Sequence, residues 1–264
     1  MRLEAGDRPS QGPQHHHRLV RHAAHPHRSE GTMTQHPPRP TGALASPLGE
    51  EPLRDFHTNG YTALPQQVTG VALEALRIEA ANLIRRFTHD GFRSPDYWYF
   101  TPAGTDTPVL YRIHNLQDQG APASARFYTD GSPLHPLAAA ILGGPVRATA
   151  CAMIVKLPDV AAPVPWHRDR TDVPPHTVCN LSVFLDDSDP GNGCLEFVPG
   201  SHFQPDGEDA EALQAQGPVR AVSLAAGDVA VHDVRIAHAS RRNTSPRIRR
   251  SIVVEFAPAD LELP

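Results

Sequence analysis

From about residue 51 onward the chain runs through two hydrophobic periods in turn. In "PLRDFHTNGYTALP" (52–65) the pattern predicts a short helix ended by Gly60, then a strand. Leu73, Leu76, Ala80, Leu83, Ile84 and Phe87 recur three or four apart, the stripe of an amphipathic helix that Gly91 is expected to close. "PVLYRIHNL" (108–116) predicts a strand and "HPLAAAILG" (135–143) a short helix. The pattern then changes. Strand-like runs follow at 146–157, 177–185, 194–198, 219–224, 228–232 and 248–256, separated by Pro, Gly, Asp and Asn clusters. Helices first and turn-punctuated strands after predict a mainly β domain with flanking helices, an antiparallel sandwich or jelly roll with the helices buttressing one sheet. Two long segments, 89–108 and 204–218, are expected as loops at its mouth and are candidate lids.

The first fifty residues have no such period. They hold seven of the 16 histidines and many prolines, as in "HHHRLVRHAAHPHRSEGTMTQHPPRPTG". A metal-collecting tail is one reading. A disordered His/Pro/Arg-rich extension is the better one, because nothing here buries an apolar face or holds the histidines in one geometry. The segment lacks the apolar core of a secretory signal, its prolines argue against a transit peptide, and Met33 is a candidate start. Residues 51–264 are then one domain.

Charge narrows the function. Six arginines against four acids leave residues 1–50 at +2 and the remaining 214 residues at −7. A domain that acidic has no electrostatic footprint for nucleic acid. No apolar run approaches the ~18 residues that a membrane span needs. Cys151, Cys179 and Cys194 are odd in number and form no Cys-x-x-Cys, which argues against a disulfide framework or a zinc finger and for a reducing, cytoplasmic setting.

The chemistry centres on "PVPWHRDRTDVPP" (163–175), where His167 and Asp169 stand two apart. Such a pair can ligate one metal ion, yet with 16 histidines in the chain about one pair is expected by chance. Three later stretches lift it above chance. "NLSVFLDDSDPGNGCLEFVPGSHF" (180–203) reads as strand, Asp/Gly-rich turn, and strand ending in Pro-Gly-Ser-His. "GDVAVHDVRIAHAS" (227–240) brings a further histidine, and "NTSPRIRRSIVVEF" (243–256) is a final strand carrying arginines. In this order and spelling, from about Leu53 to Phe256, the chain resembles the phytanoyl-CoA dioxygenase family of iron(II)/2-oxoglutarate oxygenases.

That resemblance implies a double-stranded β-helix, a cupin-like jelly roll with the metal in its mouth. It implies Fe(2+), 2-oxoglutarate as cosubstrate, O2, and a small-molecule substrate. The family pattern puts the metal ligands on His167, Asp169 and His238. Two imidazoles and one carboxylate on one face leave three positions open, two for the keto acid and one for oxygen. His176, His202 and His232 compete for the third ligand. His202 is expected to cap its turn or face solvent and His232 to be a structural strand histidine. His238 is preferred because the Ala-Ser after it and an arginine eleven residues on match the family. Related halogenases carry a small residue in place of the carboxylate, so Asp169 implies oxygen insertion rather than chlorination.

A keto diacid also needs a cation, and a guanidinium offers a planar fork. Arg247, Arg249 and Arg250 are all at hand. Ile248, Arg250, Ile252, Val254 and Phe256 share the aliphatic face of their strand, so the ligand-facing arginine belongs to the odd set, and spacing from His238 and Phe256 selects Arg249. Ser240 matches a family position that touches the keto acid. Arg112 falls where the family can place a second basic contact, with a salt-bridged strand arginine as the equal alternative. Met153 and Leu181 align with wall positions, within a slip of one residue. Trp166 and Arg168 flank the first ligand and are candidates to touch substrate, a core role being the alternative for Trp166. Hydroxylation of an unactivated carbon of a small metabolite is the default outcome, with secondary metabolism as its setting. Epimerisation, desaturation and cyclisation use the same oxidant. A metal enzyme without a keto acid, and a silent binding module, are the rival classes; Arg249 argues against the first and the intact triad against the second.

Overall fold

In the computed structural model of the chain, residues 48–102, 104–158 and 163–263 are described. The expectation for residues 1–50 lies outside them, apart from its last three residues. Helix α1 (Glu50–Asn59) ends at Gly60, which adopts φ 83° and returns its N–H to Phe56 O. Only glycine fits there, because a Cβ would lie 2.5 Å from the ring of His202. Strand β1 (Tyr61–Leu64) and helix α2 (Gly70–Thr88) follow. Leu73, Leu76, Ala80, Leu83 and Phe87 of α2 are buried, the stripe that the spacing predicts. Then come β2 (Tyr97–Phe100), β3 (Val109–Ile113), the single turn α3 (Pro122–Ala125) and α4 (His135–Leu142).

The remaining strands are β4 (Val146–Lys156), β5 (Val164–His167), β6 (Cys179–Phe184), β7 (Leu195–Phe197), β8 (Arg220–Val222), β9 (Val229–Asp233), β10 (His238–Ser240) and β11 (Arg249–Pro258), with helix α5 (Ala210–Gln216) before β8. They form two sheets, a major one ordered β1-β9-β6-β11-β4-β3-β2 and a minor one ordered β5-β10-β7-β8. Every pairing is antiparallel. This is the double-stranded β-helix that the family resemblance implies, and it agrees with the jelly roll expected from the order of the elements.

The major sheet has two unlike faces. On the outer one Met153, Val155, Leu181, Val183, Ile252, Val254 and Phe256 join side chains of α2 and α4 in one core cluster. Each large aliphatic side chain taken out of water there contributes about 1.5–3 kcal/mol. On the inner one Ala150, Ala152, Ile154, Asn180, Ser182, Ser251, Val253 and Glu255 face a cavity of about 510 Å3. Period-two alternation along β4, β6 and β11 separates the two sets.

Two expectations need correction. Segment 89–108 is not a loop throughout, since β2 pairs with β3 at the edge of the major sheet. Its four consecutive aromatic residues conceal any alternation, and a register shift between Trp98 and Tyr99 breaks it. Segment 204–218 likewise contains α5, whose N-cap Asp209 accepts from the N–H groups of Glu211 and Ala212. The proline-rich stretch around His167 forms β5, an edge strand where Pro165 costs no ladder bond on its outer side.

Candidate metal and cosubstrate site

Strands β5 and β10 are neighbours in the minor sheet, and their register sets His238 directly opposite His167. The two imidazole centroids lie 4.2 Å apart. Asp169, two residues past His167, falls on the same side, as alternation in an extended segment requires. Its Oδ1 is 3.3 Å from His167 Nε2, and its Oδ2 is 3.6 Å from His238 Nε2. One donor atom from each of the three lies within 4.8 Å of the others, and no other group of three His, Cys, Asp or Glu does so among the described residues.

The histidines are oriented from behind. His167 Nδ1 lies 2.9 Å from Pro165 O and His238 Nδ1 3.0 Å from Ile236 O. A carbonyl only accepts, so Nδ1 carries the hydrogen and donates, and each Nε2 keeps its lone pair for the centre. Burial, with His167 beside it, pushes His238 down to about 3 and keeps its ring neutral. For Asp169 burial acts upward, but His238, His167 and His232 outweigh it and hold the carboxyl well below its usual range. Burial likewise acts downward on His167, yet the hydrogen bond and charge of Asp169 leave a net upward shift. The carboxylate thus attracts positive charge to the spot on which both Nε2 atoms converge. Two neutral imidazole nitrogens and one anionic oxygen fit iron(II).

A second charge lines the same cavity. Arg249, at the start of β11, is 1 % exposed, and burial pushes its guanidinium down to about 10. Its Nε and Nη1 have no hydrogen-bond partner, and its Cζ lies 5.5 Å from the centroid of the Phe184 ring. A buried guanidinium with unpaired N–H groups is costly and calls for an anion. Lys156 is its cross-strand neighbour on β4 and donates to the carbonyls of Arg241, at 2.6 Å, and Ser240. Burial, then the charge of Arg249, pushes this lysine down to about 7. The buried Arg249 guanidinium, which lines the cavity of the three donor groups, fits a carboxylate of a diacid such as 2-oxoglutarate.

The other two arginines of that strand are engaged elsewhere. Arg247 pairs with Asp189 near the surface, and Arg250 makes a two-pronged contact with Asp186, both bonds 2.8 Å. Ser240 and Arg112 both line the cavity. Nε of Arg112 is buried without a partner, and burial lowers its pKa against the pull of Asp169. Met153 and Leu181 do not line it. Both are 0 % exposed in the core on the outer face, opposite Ile252 and Val254, and the cavity wall takes their neighbours Ala152, Ile154, Asn180 and Ser182 instead. A one-residue step along a strand reverses the face.

The competing histidines separate in space. His202 is fully buried rather than solvent-facing, its Nε2 3.1 Å from Nε2 of His176, in a cluster with His57 away from the cavity. His232 does reach the centre, with Nε2 3.4 Å from Asp169 Oδ2, and Asn180 Nδ2 donates to the same oxygen at 2.8 Å. Sequence reasoning passed over Asn180. The available signal was a polar residue alternating with aliphatic ones in "CNLSVF". Arg168 turns its guanidinium onto the carbonyls of Arg235, Gln204 and Pro205, and Trp166 packs against a small cluster with Ala210 and Leu213, so neither contacts the cavity.

The phytanoyl-CoA dioxygenase (PhyH) family model matches residues 56–251. The crystal structure of AviO1 from Streptomyces viridochromogenes Tue57 is 46% identical, covers 81% of this chain and 97% of its own, and superposes with a TM-score of 0.77. Ectoine dioxygenase of Halomonas elongata is 26% identical over 76% of this chain and 67% of its own length. The non-heme alpha ketoglutarate dependent epimerase SnoN from nogalamycin biosynthesis is 25% identical, with a TM-score of 0.63 over 80% of this chain and 82% of its own.

Proposed function

We infer, for a chain that belongs to the phytanoyl-CoA dioxygenase family and is an iron- and 2-oxoglutarate-dependent dioxygenase, that His167, Asp169 and His238 hold the iron and Arg249 holds the distal carboxylate of the keto acid. Arg249 carries the reading: a guanidinium 1 % exposed, with two unpaired nitrogens, lines the same cavity as the three donor groups. A metal enzyme with no diacid to bind would gain nothing from the cost of burying it. Iron(II) and keto acid, when bound, would supply the electrons that activate oxygen.

The chain's own residues supply geometry and dryness. The backbone carbonyls behind His167 and His238 fix both rings with Nε2 inward. Arg249, with Ser240 nearby, orients the cosubstrate, and Arg112 adds a positive charge beside Asp169. The aliphatic core behind the major sheet keeps water from the inner face except through the mouth. The remaining cavity suits a small metabolite, and similarity to an epimerase of nogalamycin biosynthesis supports a place in secondary metabolism. Hydroxylation is the default outcome. Among the described residues no helix is long and apolar enough to cross a membrane, and three cysteines without a disulfide support a cytoplasmic setting.

The test is anaerobic loading of the protein with Fe(II) and 2-oxoglutarate. A visible metal-to-ligand charge-transfer band is expected, with its keto-acid dependence weakened in Arg249→Ala. A band of full strength in both His167→Ala and His238→Ala would sink the assignment.

A further inference from the structure

The two oxygens of Asp169 have different surroundings. Oδ1 is nearest to His167 Nε2, at 3.3 Å. Oδ2 accepts a hydrogen bond from Asn180 Nδ2 at 2.8 Å and has His232 Nε2 at 3.4 Å, itself 3.4 Å from that amide nitrogen, with His238 Nε2 at 3.6 Å. Asn180 and His232 are both buried, at 6 % and 3 % exposure. They stand directly opposite each other on β6 and β9, and Asn180 also stands opposite Glu255 on β11. A register-locked row of the major sheet therefore supports a ligand that belongs to the loop after the minor sheet's edge strand.

The count of positions around the iron gives that support a purpose. Two imidazoles and one carboxylate oxygen leave three of six positions, two for the keto acid and one for oxygen. A carboxylate can also chelate through both oxygens, which would take the position that oxygen needs. We propose that Asn180 is a positioning residue which holds Oδ2 of Asp169 away from the metal, so that Asp169 binds through Oδ1 alone and the oxygen position stays open. His232 backs this contact from the neighbouring strand. A neutral amide suits the task, because it fixes one oxygen without supplying a full positive charge that would draw the carboxylate off the iron. Charged donors stand close by in Arg112 and Arg170, yet neither is hydrogen-bonded to Asp169. This inference rests on the triad holding the iron.

Nitric oxide is the probe, because it occupies the position of oxygen on iron(II). Wild type, Asn180→Ala and the similarly sized Asn180→Leu are loaded anaerobically with Fe(II) and 2-oxoglutarate and titrated with nitric oxide. The high-spin iron–nitrosyl EPR signal is followed, and the metal-free proteins are melted alongside. Both variants are expected to melt near wild type and to keep the charge-transfer band, while nitric oxide affinity falls about tenfold. Nitric oxide binding equal to wild type in iron-loaded variants would overturn the proposal. Loss of fold in both metal-free variants would do the same, since Asn180 would then act on the barrel and not on Asp169. A wild type that gives neither band nor nitrosyl signal refutes the triad itself, an outcome distinct from both.

Discussion

Two clusters of imidazoles lie in this domain, and only one of them has the makings of a reaction centre. His167 and His238 face each other at 4.2 Å between centroids, and His176 and His202 at 5.0 Å. The first pair has a carboxylate between its Nε2 atoms and a backbone carbonyl behind each ring. In the second, Nε2 of His202 meets Nε2 of His176 at 3.1 Å, one donating and the other accepting, with Phe203 against both rings. Lone pairs directed at one point beside an anion hold a cation; a ring that donates to its neighbour spends the lone pair on structure. Proximity of histidines is therefore uninformative until the partners of all four nitrogens are known.

The largest effect expected from this difference is on iron. His167→Ala and His238→Ala should each lose iron affinity beyond the about 10–100-fold that removal of an outer partner costs. His176→Ala and His202→Ala should retain it. Equilibrium titration of the metal-free proteins with Fe(II) reads this directly, and iron loss confined to the second pair would reverse the comparison.

Next in size is the cation that only the first cluster has within its cavity. Arg249→Ala should raise the KM for 2-oxoglutarate by roughly thirty-fold or more, from about 2–5 kcal/mol for a truncated buried charge contact. Arg249→Lys should restore part of it, because a point charge lacks the fork. Iron affinity without cosubstrate should barely move. Arg247→Ala should matter less, and Arg250→Ala should lower the melting temperature through its lost contact with Asp186. A normal KM in Arg249→Ala would return the cosubstrate-free metal enzyme to consideration.

The smallest effect belongs to the second cluster and to pH. Burial, then the charge of His176 and that of Arg235, pushes His202 down to about 4 from its ordinary 6.5, against a smaller upward pull from a backbone hydrogen bond involving His57. Between those values the unfolded chain binds a proton that the folded one refuses. Stability therefore falls as pH drops from 6.5 towards 4, by at most about 3 kcal/mol from this residue. Thermal melts across that range should show a shallower acid slope in His202→Gln than in wild type. Identical slopes would mean that the pair takes up its proton without strain.

Much of the molecule was legible before any coordinates. The stripe on α2 and the parity of β11 are local patterns, and both are found as the spacing predicts, with Ile252, Val254 and Phe256 in the core and Arg249, Ser251, Val253 and Glu255 on the cavity side. The expectation for Met153 and Leu181 was not met. There the expectation came from alignment with a family and not from the alternation of the strand, which puts them with the core.

The sequence by itself determined the order of the elements, the fold class they build, and which residue types could carry the chemistry, because periodicity and turn chemistry are properties of near neighbours. Tertiary structure decided which of the late histidines stands opposite His167, that His202 is buried in a different cluster, and that Asn180 and His232 support Asp169. Those facts depend on strand register between segments far apart in the chain. Register is set by burial of one whole sheet face at once, and no local stretch carries that information.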